Sequence, residues 1–390
     1  MLSIISFCYE PFRSIINRFQ MTLDAISLVN FKNISEASLR FSPKVNCLLG
    51  DNGMGKSNLL DAIYTLSFTK SFTGAPDSLL IKQGEEFVTI RGDYTRHDTP
   101  ETVTLGMKSG RRKILKRGGK DYGRLTEHIG LFPAVVVSPS DIDLLRGPAE
   151  ERRRWMDMVI SQSDPRYLDA LVRYSGFVEQ RNRLLRDGSV DHNLYDAVEA
   201  AMEMPARYIH STRREWTSRL TEIFARSYEA IAGAGSECPA LEFRGSLDAS
   251  PDGSLAALLD GARRHDEIVR HTSVGPHRDD IDMTLGRMPV RRTGSQGQCK
   301  SFTVSLRMAQ YEFLSRATGL RPLLLLDDIF DKLDSGRVER IMALVTESNL
   351  FGQIFITDTN RTHLDEIMSR TGGDYRMWTV ADGNFTPSNC

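Results

Sequence analysis

GDNGMGKSNLL, residues 50–60, lies between two apolar segments and determines which fold this chain can form. Residues 44–49 before it have the composition of a short buried strand, and residues 58–63 begin a helix with apolar residues at helical spacing. The motif is G-x-x-x-x-G-K-S, in which backbone N–H groups close around a phosphate, the lysine reaches the β- and γ-phosphates, and the serine hydroxyl binds Mg²⁺. A loop that leads into a helix N-terminus also favours a bound anion. The predicted nucleotide-binding residues are Gly50, Asp51, Asn52, Gly53, Met54, Gly55, Lys56 and Ser57.

The composition is that of an ordinary globular protein and excludes several classes. The chain has 390 residues, enough for two or three domains, of which 40% are hydrophobic and 26% charged. Its net charge of −1 means that any surface for nucleic acid must be a local patch. The five cysteines are far apart and form no C-x-x-C pair, which excludes a zinc ribbon and suits a reducing, cytoplasmic location. No run approaches the ~20 apolar residues that span a bilayer, so we expect a soluble protein without a membrane segment.

The first twenty residues are apolar and aromatic, but they lack the basic start and the small-residue cleavage site of a secretory signal. We expect either that Met21 is the functional start or that residues 1–20 are a dispensable extension. From Met21 onward, alternating apolar residues predict two paired strands around Asn33.

A strongly basic segment follows further strand-like stretches. Residues 108–124, KSGRRKILKRGGKDYGR, contain eight Lys or Arg residues and one Asp. A solvated hairpin would explain this composition, and so would contact with phosphates, because Lys and Arg dominate sequence-independent binding to nucleic acids. The sequence leaves both interpretations open. The candidate DNA-binding residues are Arg111, Arg112, Lys113, Lys116 and Arg117.

Residues 146–267 differ in character from the flanking segments. Long helical patterns rich in arginine extend to about residue 232, but their apolar residues do not hold an a/d heptad for long. We therefore predict an all-helical insertion rather than a long coiled coil, with arginines from Arg152 onward as a second candidate for phosphate contact. Within SVGPHRDD, residues 273–280, a metal site at His277 is conceivable, but one His beside two Asp lacks a recognised ligand geometry and a hydrogen-bonded turn is favoured.

RPLLLLDDIFDKLD, residues 321–334, is the second decisive stretch. Its four leucines predict a central strand of a buried sheet that ends in Asp327 and Asp328. Two ionised carboxylates in such a place are costly without partners, and a Mg²⁺ that bridges to nucleotide phosphates is a suitable partner. We predict that Ser57 and Asp327 hold this metal, Asp327 through water, and that Asp328 is the catalytic residue that orients or deprotonates the attacking water.

A third motif, SQGQ at residues 295–298, stands immediately before a strong amphipathic helix. A serine hydroxyl and a glycine backbone at a helix N-terminus form another site for an anion. One chain needs only one phosphate cradle for one nucleotide, so we expect this motif to close on the nucleotide held by a partner chain. The residues involved would be Ser295, Gln296, Gly297 and Gln298.

The cradle, the SQGQ turn and the paired acids, in that order, resemble the pattern of ABC-type ATPase heads. From about Met21 to near the C-terminus, the series of motifs resembles the RecF family of DNA replication and repair proteins. The cradle alone is unspecific, but the whole series in this order is highly specific. The stretches that carry the likeness are LVNFKNI, GDNGMGKSNLLDAIYTLSFTKSF, PSDIDLLRGPAEERRRWMD, QRNRLL, SVGPHRDD, SQGQ and LLLLDDIFDKLD.

The resemblance implies a DNA-binding clamp that uses ATP and Mg²⁺. In that family two heads bind DNA as an ATP-sandwiched homodimer, hydrolyse ATP weakly in a DNA-dependent manner, and help recombinase load at gaps in DNA, with RecR and RecO as partners. By position, the resemblance assigns the cradle to Gly50–Ser57, the Mg²⁺-binding acid to Asp327 and the hydrolytic acid to Asp328. The signature that acts in trans corresponds to Ser295, Gly297 and Gln298, and the loop at the dimer seam to Lys332, Leu333 and Asp334.

Several positions depart from the family pattern. Thr73 stands where many members have arginine, and Cys299 follows the signature where Gln or Leu is more usual. Residues 138–141 occupy the place of the glutamine loop by order but contain no glutamine. In transporter heads a histidine directly follows the strand that corresponds to IFIT, whereas this chain has no histidine there. Candidates for a γ-phosphate sensor are therefore Thr357, Asp358 and Thr359.

We predict an α/β fold, an ABC-type P-loop ATPase head (SMC/Rad50-like) formed by residues 21–145 and 268–390, with a helical arm at residues 146–267 inserted. A transporter-type ABC ATPase subunit is an alternative, but it would have a more compact helical part and the missing histidine. Other SMC-like proteins need hundreds of heptad residues between the two halves of the head. A purely structural role would leave three phosphate-binding motifs without a purpose.

Overall fold

The computed structural model describes residues 21–189, 191–233, 235, 237–250, 252–330, 334–347, 350–370 and 374–388. The prediction for residues 1–20 lies outside this set. Within the described part of the chain, no helix combines the length and the apolar character needed to span a bilayer.

The regular elements are numbered here in chain order. The strands are β1 (Met21–Phe31), β2 (Ile34–Arg40), β3 (Val45–Leu49), β4 (Phe87–Arg96), β5 (Thr99–Lys108), β6 (Ile114–Arg117), β7 (Lys120–Asp121), β8 (Ala134–Val137), β9 (Pro239–Arg244), β10 (Asp280–Leu285), β11 (Met288–Pro289), β12 (Leu323–Asp327), β13 (Ile354–Asp358), β14 (Tyr375–Ala381) and β15 (Asn384–Pro387). The α-helices are α1 (Lys56–Phe68), α2 (Ile142–Arg146), α3 (Ala149–Ser163), α4 (Pro165–Asp187), α5 (His192–Ala232), α6 (Leu255–Val269), α7 (Val290–Thr293), α8 (Gln296–Thr318), α9 (Ser335–Glu347) and α10 (Arg361–Arg370).

The chain divides into two compact units. The first contains residues up to Asp141 together with Gln310 and beyond, and the second contains Ile142–Ala309. The predicted boundaries at residues 145 and 268 differ from this division. The reason is that strand β10 and helix α7, which follow residue 268, pack with β9, α3 and each other inside the second unit.

The first unit holds two sheets with opposite character. One is antiparallel, in the order β2-β1-β4-β5-β6-β7. Along β4 and β5, buried positions alternate with partly or fully exposed ones, as expected of a sheet with one solvated face. The strand pair predicted around Asn33 is confirmed as β1 and β2.

The other sheet carries the functional motifs. Its order is β15-β14-β3-β13-β12-β8, and every pair from β14 to β8 is parallel. Strands β8, β12 and β13 are buried along their whole length, which explains why their sequences read as continuous apolar runs. Helix α1 contacts strands of both sheets, and β13 lies between β3 and β12. This order brings the residue after β3 and the last residues of β12 and β13 to one edge.

The second unit is mainly helical. Helices α4 and α5 pack against each other, and α5 extends over 41 residues. The all-helical prediction for residues 146–267 is not met at β9, which pairs with β10 in a small antiparallel sheet of order β11-β10-β9. Strand β9 is six residues long and its partner lies about 40 residues further along the chain, so no local hairpin pattern announced it.

Candidate nucleotide-binding site

The loop between β3 and α1 has a backbone that requires its glycines. Gly53 and Gly55 have φ angles of 82° and 110°, in the region that L-residues with a side chain rarely adopt. A Cβ atom on Gly55 would also lie 2.9 Å from the amide nitrogen of Asn33, and one on Gly50 would collide with the carbonyl oxygen of Val380. The loop therefore has a tight turn at Gly53 and Gly55, and the missing side chains of Gly50 and Gly55 leave room for Val380 and Asn33.

Lys56, the first residue of α1, is buried and folds back over this loop. Its ammonium donates to the carbonyl oxygens of Gly50 and Asp51 at 2.6 and 3.1 Å. A lysine ammonium has three N–H donors, so two of them hold the loop and one remains to reach an anion. The remaining predicted cradle residues, Asn52 and Met54, lie in the same loop, and Met54 N–H donates to the Asp51 carbonyl.

The two predicted magnesium ligands meet at the edge of the parallel sheet. The Ser57 hydroxyl donates to Oδ1 of Asp327 at 2.7 Å, although 270 residues separate them in sequence. Burial raises the pKa of the Asp327 carboxyl above its ordinary value, and the charge of Asp328 adds to this, while hydrogen bonds from Ser57 and Thr357 act in the opposite direction. A buried carboxylate of this kind gains from a nearby cation. Hydroxyl and carboxylate oxygens are the donors that Mg²⁺ prefers, so these residues fit the metal.

Thr357, at the end of β13, connects the paired acids. Its hydroxyl donates to Asp327 Oδ1 at 2.8 Å and accepts the backbone N–H of Asp328 at 3.0 Å. Sequence analysis predicted Thr357 only as a candidate γ-phosphate sensor. Its contacts with both acids arise because β13 lies beside β12 in the sheet.

Asp328 has an unusual backbone. Its φ angle is 45°, in the left-handed region, which Asp and Asn adopt more readily than other residues with a side chain. Asp328 is half-buried at this edge of the sheet.

Asn33, in the turn between β1 and β2, is a residue that sequence reasoning missed. Its amide nitrogen contacts the Met54 carbonyl at 3.4 Å, and its oxygen accepts a hydrogen bond from Asn58 at 2.8 Å. The turn of the first strand pair therefore supports the phosphate loop. The only sequence signal was an asparagine at a tight turn, which is common in hairpins of any function.

A second missed feature lies behind the loop, where Asp61 of α1 is fully buried. It accepts hydrogen bonds from the Ser71 hydroxyl at 2.7 Å and the Phe72 N–H at 2.8 Å, and Lys32 forms an ion pair with it at 2.6 Å. Thr73, which stands where many family members have arginine, contacts the Ser71 hydroxyl at 2.8 Å and is therefore part of this network.

His363 follows Asp358 by five residues and forms a contact that the sequence did not suggest. Nδ1 of His363 lies 2.8 Å from Oδ2 of Asp358, and the Asp358 carbonyl accepts the N–H of Gly50. A histidine is therefore present beside the phosphate loop, although it does not directly follow the strand. Thr359, the third candidate sensor, is exposed in the turn between them.

The SQGQ motif lies in the second unit and has the geometry of a capping box. The Ser295 hydroxyl accepts the N–H of Gln298 at 3.2 Å, and the Gln298 side-chain oxygen accepts the N–H of Ser295 at 2.8 Å. Gln296 and Gly297 form the first turn of α8. Glu237 accepts a hydrogen bond from the Gln298 amide at 2.9 Å, a contact that no local pattern predicted.

The basic segment 108–124 is a hairpin built from β6 and β7. Three of its candidate residues are engaged within the chain: Lys113 with Asp77, Lys116 with Asp121, and Arg117 with Glu101. Lys113 also donates to the carbonyl of Thr69, the residue that caps α1. Arg111 and Arg112 are exposed, and neither has an ion pair among the described residues.

Several other predicted positions have structural roles. His277 is half-buried, with Nδ1 accepting the Tyr174 hydroxyl at 2.9 Å and Nε2 donating to the Thr272 carbonyl at 2.9 Å, so the favoured hydrogen-bonded turn is observed. Residues 138–141 form a turn in which Asp141 accepts the N–H of Ser138. Asp334 accepts the N–H of Arg337 at the start of α9. Lys332 and Leu333 lie outside the described residues.

Comparison with known proteins agrees with this geometry. The family model described as RecF/RecN/SMC N terminal domain matches residues 22–376. The chain is 45% identical over 367 residues to the DNA replication and repair protein RecF of Parabacteroides distasonis, a match that covers 94% of this chain and 99% of the relative.

Two solved structures extend the agreement to three dimensions. They are the structures of the recombination mediator protein RecF-ATPrS and RecF-ATP in the RecFOR pathway, with TM-scores of 0.84 and 0.83. Each is 28% identical to this chain, and each match covers 95% of this chain and 100% of the solved one. The predicted ABC-type head fold is confirmed, and a likeness over this length favours the RecF resemblance over the transporter alternative. The chain belongs to the RecF family, within the RecF/RecN/SMC group of proteins.

Proposed function

We propose that this protein is an ATP-dependent DNA-binding protein of replication and recombinational repair, which dimerises on ATP and binds DNA to help recombinase load at gaps. The observation that carries the proposal is the 2.7 Å contact between Ser57 and Asp327, which joins the phosphate loop to the acid at the end of a buried strand. Its relative carries the name of a DNA replication and repair protein, and the solved relatives are described as recombination mediators.

The cradle residues divide the work of nucleotide binding. Backbone N–H groups of residues 50–55 and the ammonium of Lys56 are suited to the β- and γ-phosphates, because Gly53 and Gly55 give the loop its tight left-handed turn and the lysine retains a third donor. Ser57 and Asp327 would hold Mg²⁺, which neutralises charge on the phosphate oxygens. The ATP named with a solved relative supports this assignment.

Hydrolysis would be slow. Asp328 is the candidate that orients or deprotonates the attacking water, and Thr357 fixes its backbone. Aspartate is one methylene shorter than the glutamate of transporter heads, so its carboxylate stands farther from the water. Slow hydrolysis suits a protein in which ATP turnover controls dimer lifetime and release of DNA rather than supplying rapid work.

Dimerisation would complete the site. Ser295, Gly297 and Gln298 form an exposed helix N-terminus of the kind that binds an anion, and the chain's own cradle needs no second one. We infer that they contact the γ-phosphate held by a second copy of the chain. DNA contact would come from exposed cations such as Arg111 and Arg112, and the RecFOR pathway named for the solved relatives suggests RecR and RecO as partners. A chromosomal DNA substrate implies a cytoplasmic location.

One experiment tests the proposal as a whole. The mass of the purified protein in solution is measured alone, with ATP and Mg²⁺, and with ATP, Mg²⁺ and duplex DNA. We expect a monomer that becomes a dimer with ATP and a larger, DNA-bound species when duplex is added. A protein that stays monomeric with ATP and ignores DNA would overturn the proposal.

A further inference from the structure

A second basic stretch surrounds the signature motif. Residues 283–311 contain no Asp or Glu, and they contain five basic residues. These are Arg287, Arg291, Arg292, Lys300 and Arg307. The stretch is less dense in charge than the β6–β7 hairpin, but it lacks acids over a longer distance.

Three of these arginines, Arg287, Arg291 and Arg292, are here called the arginine strip. All three are exposed, and none forms an ion pair or a hydrogen bond with any residue in the described ranges. Exposed arginines on the helices behave differently, because many have an acid one turn away. Examples are Arg173 with Asp169, Arg183 with Glu179 and Arg361 with Asp365. The strip therefore presents three cations whose charge no acid among the described residues neutralises.

The arginine strip is anchored by buried residues next to the signature. Val290 is fully buried, and its carbonyl accepts the N–H of Gly294 at 2.9 Å. A Cβ on Gly294 would lie 2.8 Å from that carbonyl and 2.9 Å from the sulfur of Cys299, so α7 packs tightly against the start of α8. Two residues, Thr293 and Gly294, separate the strip from Ser295.

Arg287 lies at a turn position whose backbone conformation favours other residue types. It is the second residue of the two-residue turn between β10 and β11, with a φ angle of 71°. Turns of this kind favour Gly, Asn or Asp, because a left-handed backbone is costly for a long side chain. The Arg287 side chain is exposed and has no ion pair within the described part of the chain, so its neighbours do not explain an arginine there, whereas contact with an external anion would.

We propose that the arginine strip binds the phosphate backbone of duplex DNA. Three guanidinium groups spread over six residues match a repeating polyanion better than a single γ-phosphate, which one cation could satisfy. The inference rests on the proposed DNA-binding function and deepens it, by adding a DNA contact joined directly to the signature. It also gives DNA a physical route to the ATPase, because phosphates bound at α7 would act on the position of Ser295.

The test uses a triple variant in which Arg287, Arg291 and Arg292 are replaced by glutamine. Binding of the full-length protein to a labelled duplex is measured with ATP and Mg²⁺ over a series of salt concentrations. Each lost phosphate contact lowers the slope of log affinity against log salt by about 0.9, so we expect the slope to fall by up to about 2.7 per chain. ATP affinity and the ATP-dependent dimer, measured without DNA, should be unchanged.

Two controls make the result specific. Replacing Arg91, Arg316 and Arg361 with glutamine removes the same charge from ion-paired positions outside the helical arm and should leave the slope close to that of the wild type. Replacing the strip with three lysines should retain most of the DNA affinity, because backbone contacts depend mainly on charge.

The outcomes separate this inference from the proposed function. If the wild type binds DNA and the glutamine variant has the same affinity and slope, the proposed role of the strip is overturned, whereas the proposed function of the protein stands. A variant that loses the ATP-dependent dimer without DNA would assign the strip to the partner's nucleotide and overturn DNA contact. If the wild type itself fails to bind DNA, the proposed function fails first.

Discussion

At the scale of single residues, Lys56 is the side chain on which nucleotide affinity should depend most. It is buried, and its ammonium donates to two carbonyl oxygens of the loop, which carry no net charge and so leave its positive charge to act on a phosphate. Lys56→Met should lower ATP affinity at least about 30-fold, since truncating one partner of a buried charged pair costs about 2–5 kcal/mol. Titration calorimetry measures this directly. Lys44→Met, at an exposed lysine just before β3, is the control, and wild-type affinity in the Lys56 variant would contradict the assignment.

Asp328 allows a second test at this scale, because asparagine also tolerates its left-handed backbone. Asp328→Asn should therefore keep the fold and ATP affinity while hydrolysis falls about 100-fold or more, the loss expected for a general base. Phosphate release and ATP affinity are measured on the same sample. Asp365→Asn, at an exposed carboxylate on α10, should hydrolyse ATP like the wild type. Normal turnover in Asp328→Asn would show that another group activates the water.

At the scale of elements, two histidines hold secondary structure together in the same manner, His128 fully buried and His277 half-buried. His277 connects the Tyr174 hydroxyl of α4 to the Thr272 carbonyl, which lies before β10. His128 connects the Tyr122 hydroxyl to the Leu66 carbonyl in the C-terminal turn of α1. In each ring Nε2 donates to a backbone carbonyl and Nδ1 accepts a tyrosine hydroxyl, which requires the neutral form. Burial lowers the pKa of each imidazole to about 4.

Acid should therefore destabilise the fold. Below pH 6.5 the unfolded chain gains a proton on each histidine that the folded chain does not, so stability falls as the pH falls from about 6.5 to 4. At pH 5 the loss is about 2 kcal/mol per histidine. Urea unfolding at pH 7.5 and 5.0 measures it. His277→Gln should reduce the difference between the two pH values, whereas His265→Gln, at an exposed position, should not; equal differences in both variants would contradict this account.

Elements with a strong local pattern could be predicted from the sequence, and those that depend on a distant partner could not. Strands β3 and β12 were evident because buried parallel strands are continuous apolar runs. Strand β9 was not, because its stability comes from pairing with β10. The same limit applies to Lys113, whose basic surroundings suggested an external phosphate although its nearest partners are Asp77 and the cap of α1.

At the scale of the whole molecule, strand order determines the site. The motifs at Gly50–Ser57 and Asp327 could be recognised in the sequence, but no local sequence pattern predicts that β13 lies between β3 and β12. That order brings Thr357 to Asp327 and Asp358 to the start of the phosphate loop. The unit boundaries were missed for a related reason, since the signature's capping box and its contact with Glu237 belong to the second unit rather than to the predicted head.

The trans arrangement can be tested with two inactive chains. Ser295→Arg should leave ATP binding by the monomer nearly intact, because its own cradle is unchanged, but bulk and charge beside a partner's γ-phosphate should prevent the ATP-dependent dimer. Lys56→Met chains have the opposite defect. Each variant alone lacks both composite sites, whereas a mixed dimer retains one, formed by the intact cradle of the Ser295→Arg chain and the intact signature of the Lys56→Met chain.

Mixing the two variants should therefore restore part of the dimer and at most about half of the ATPase activity per dimer, measured by sizing and phosphate release at equal total protein. A chain carrying both substitutions, mixed with either single variant, is the control. Adding it to Ser295→Arg chains leaves no intact signature, and adding it to Lys56→Met chains leaves no intact cradle. Recovery only in the mixture of single variants would establish that each nucleotide is closed by the signature of the other chain. Equal activity in the mixture and in the unmixed variants would mean that Ser295 acts within its own chain.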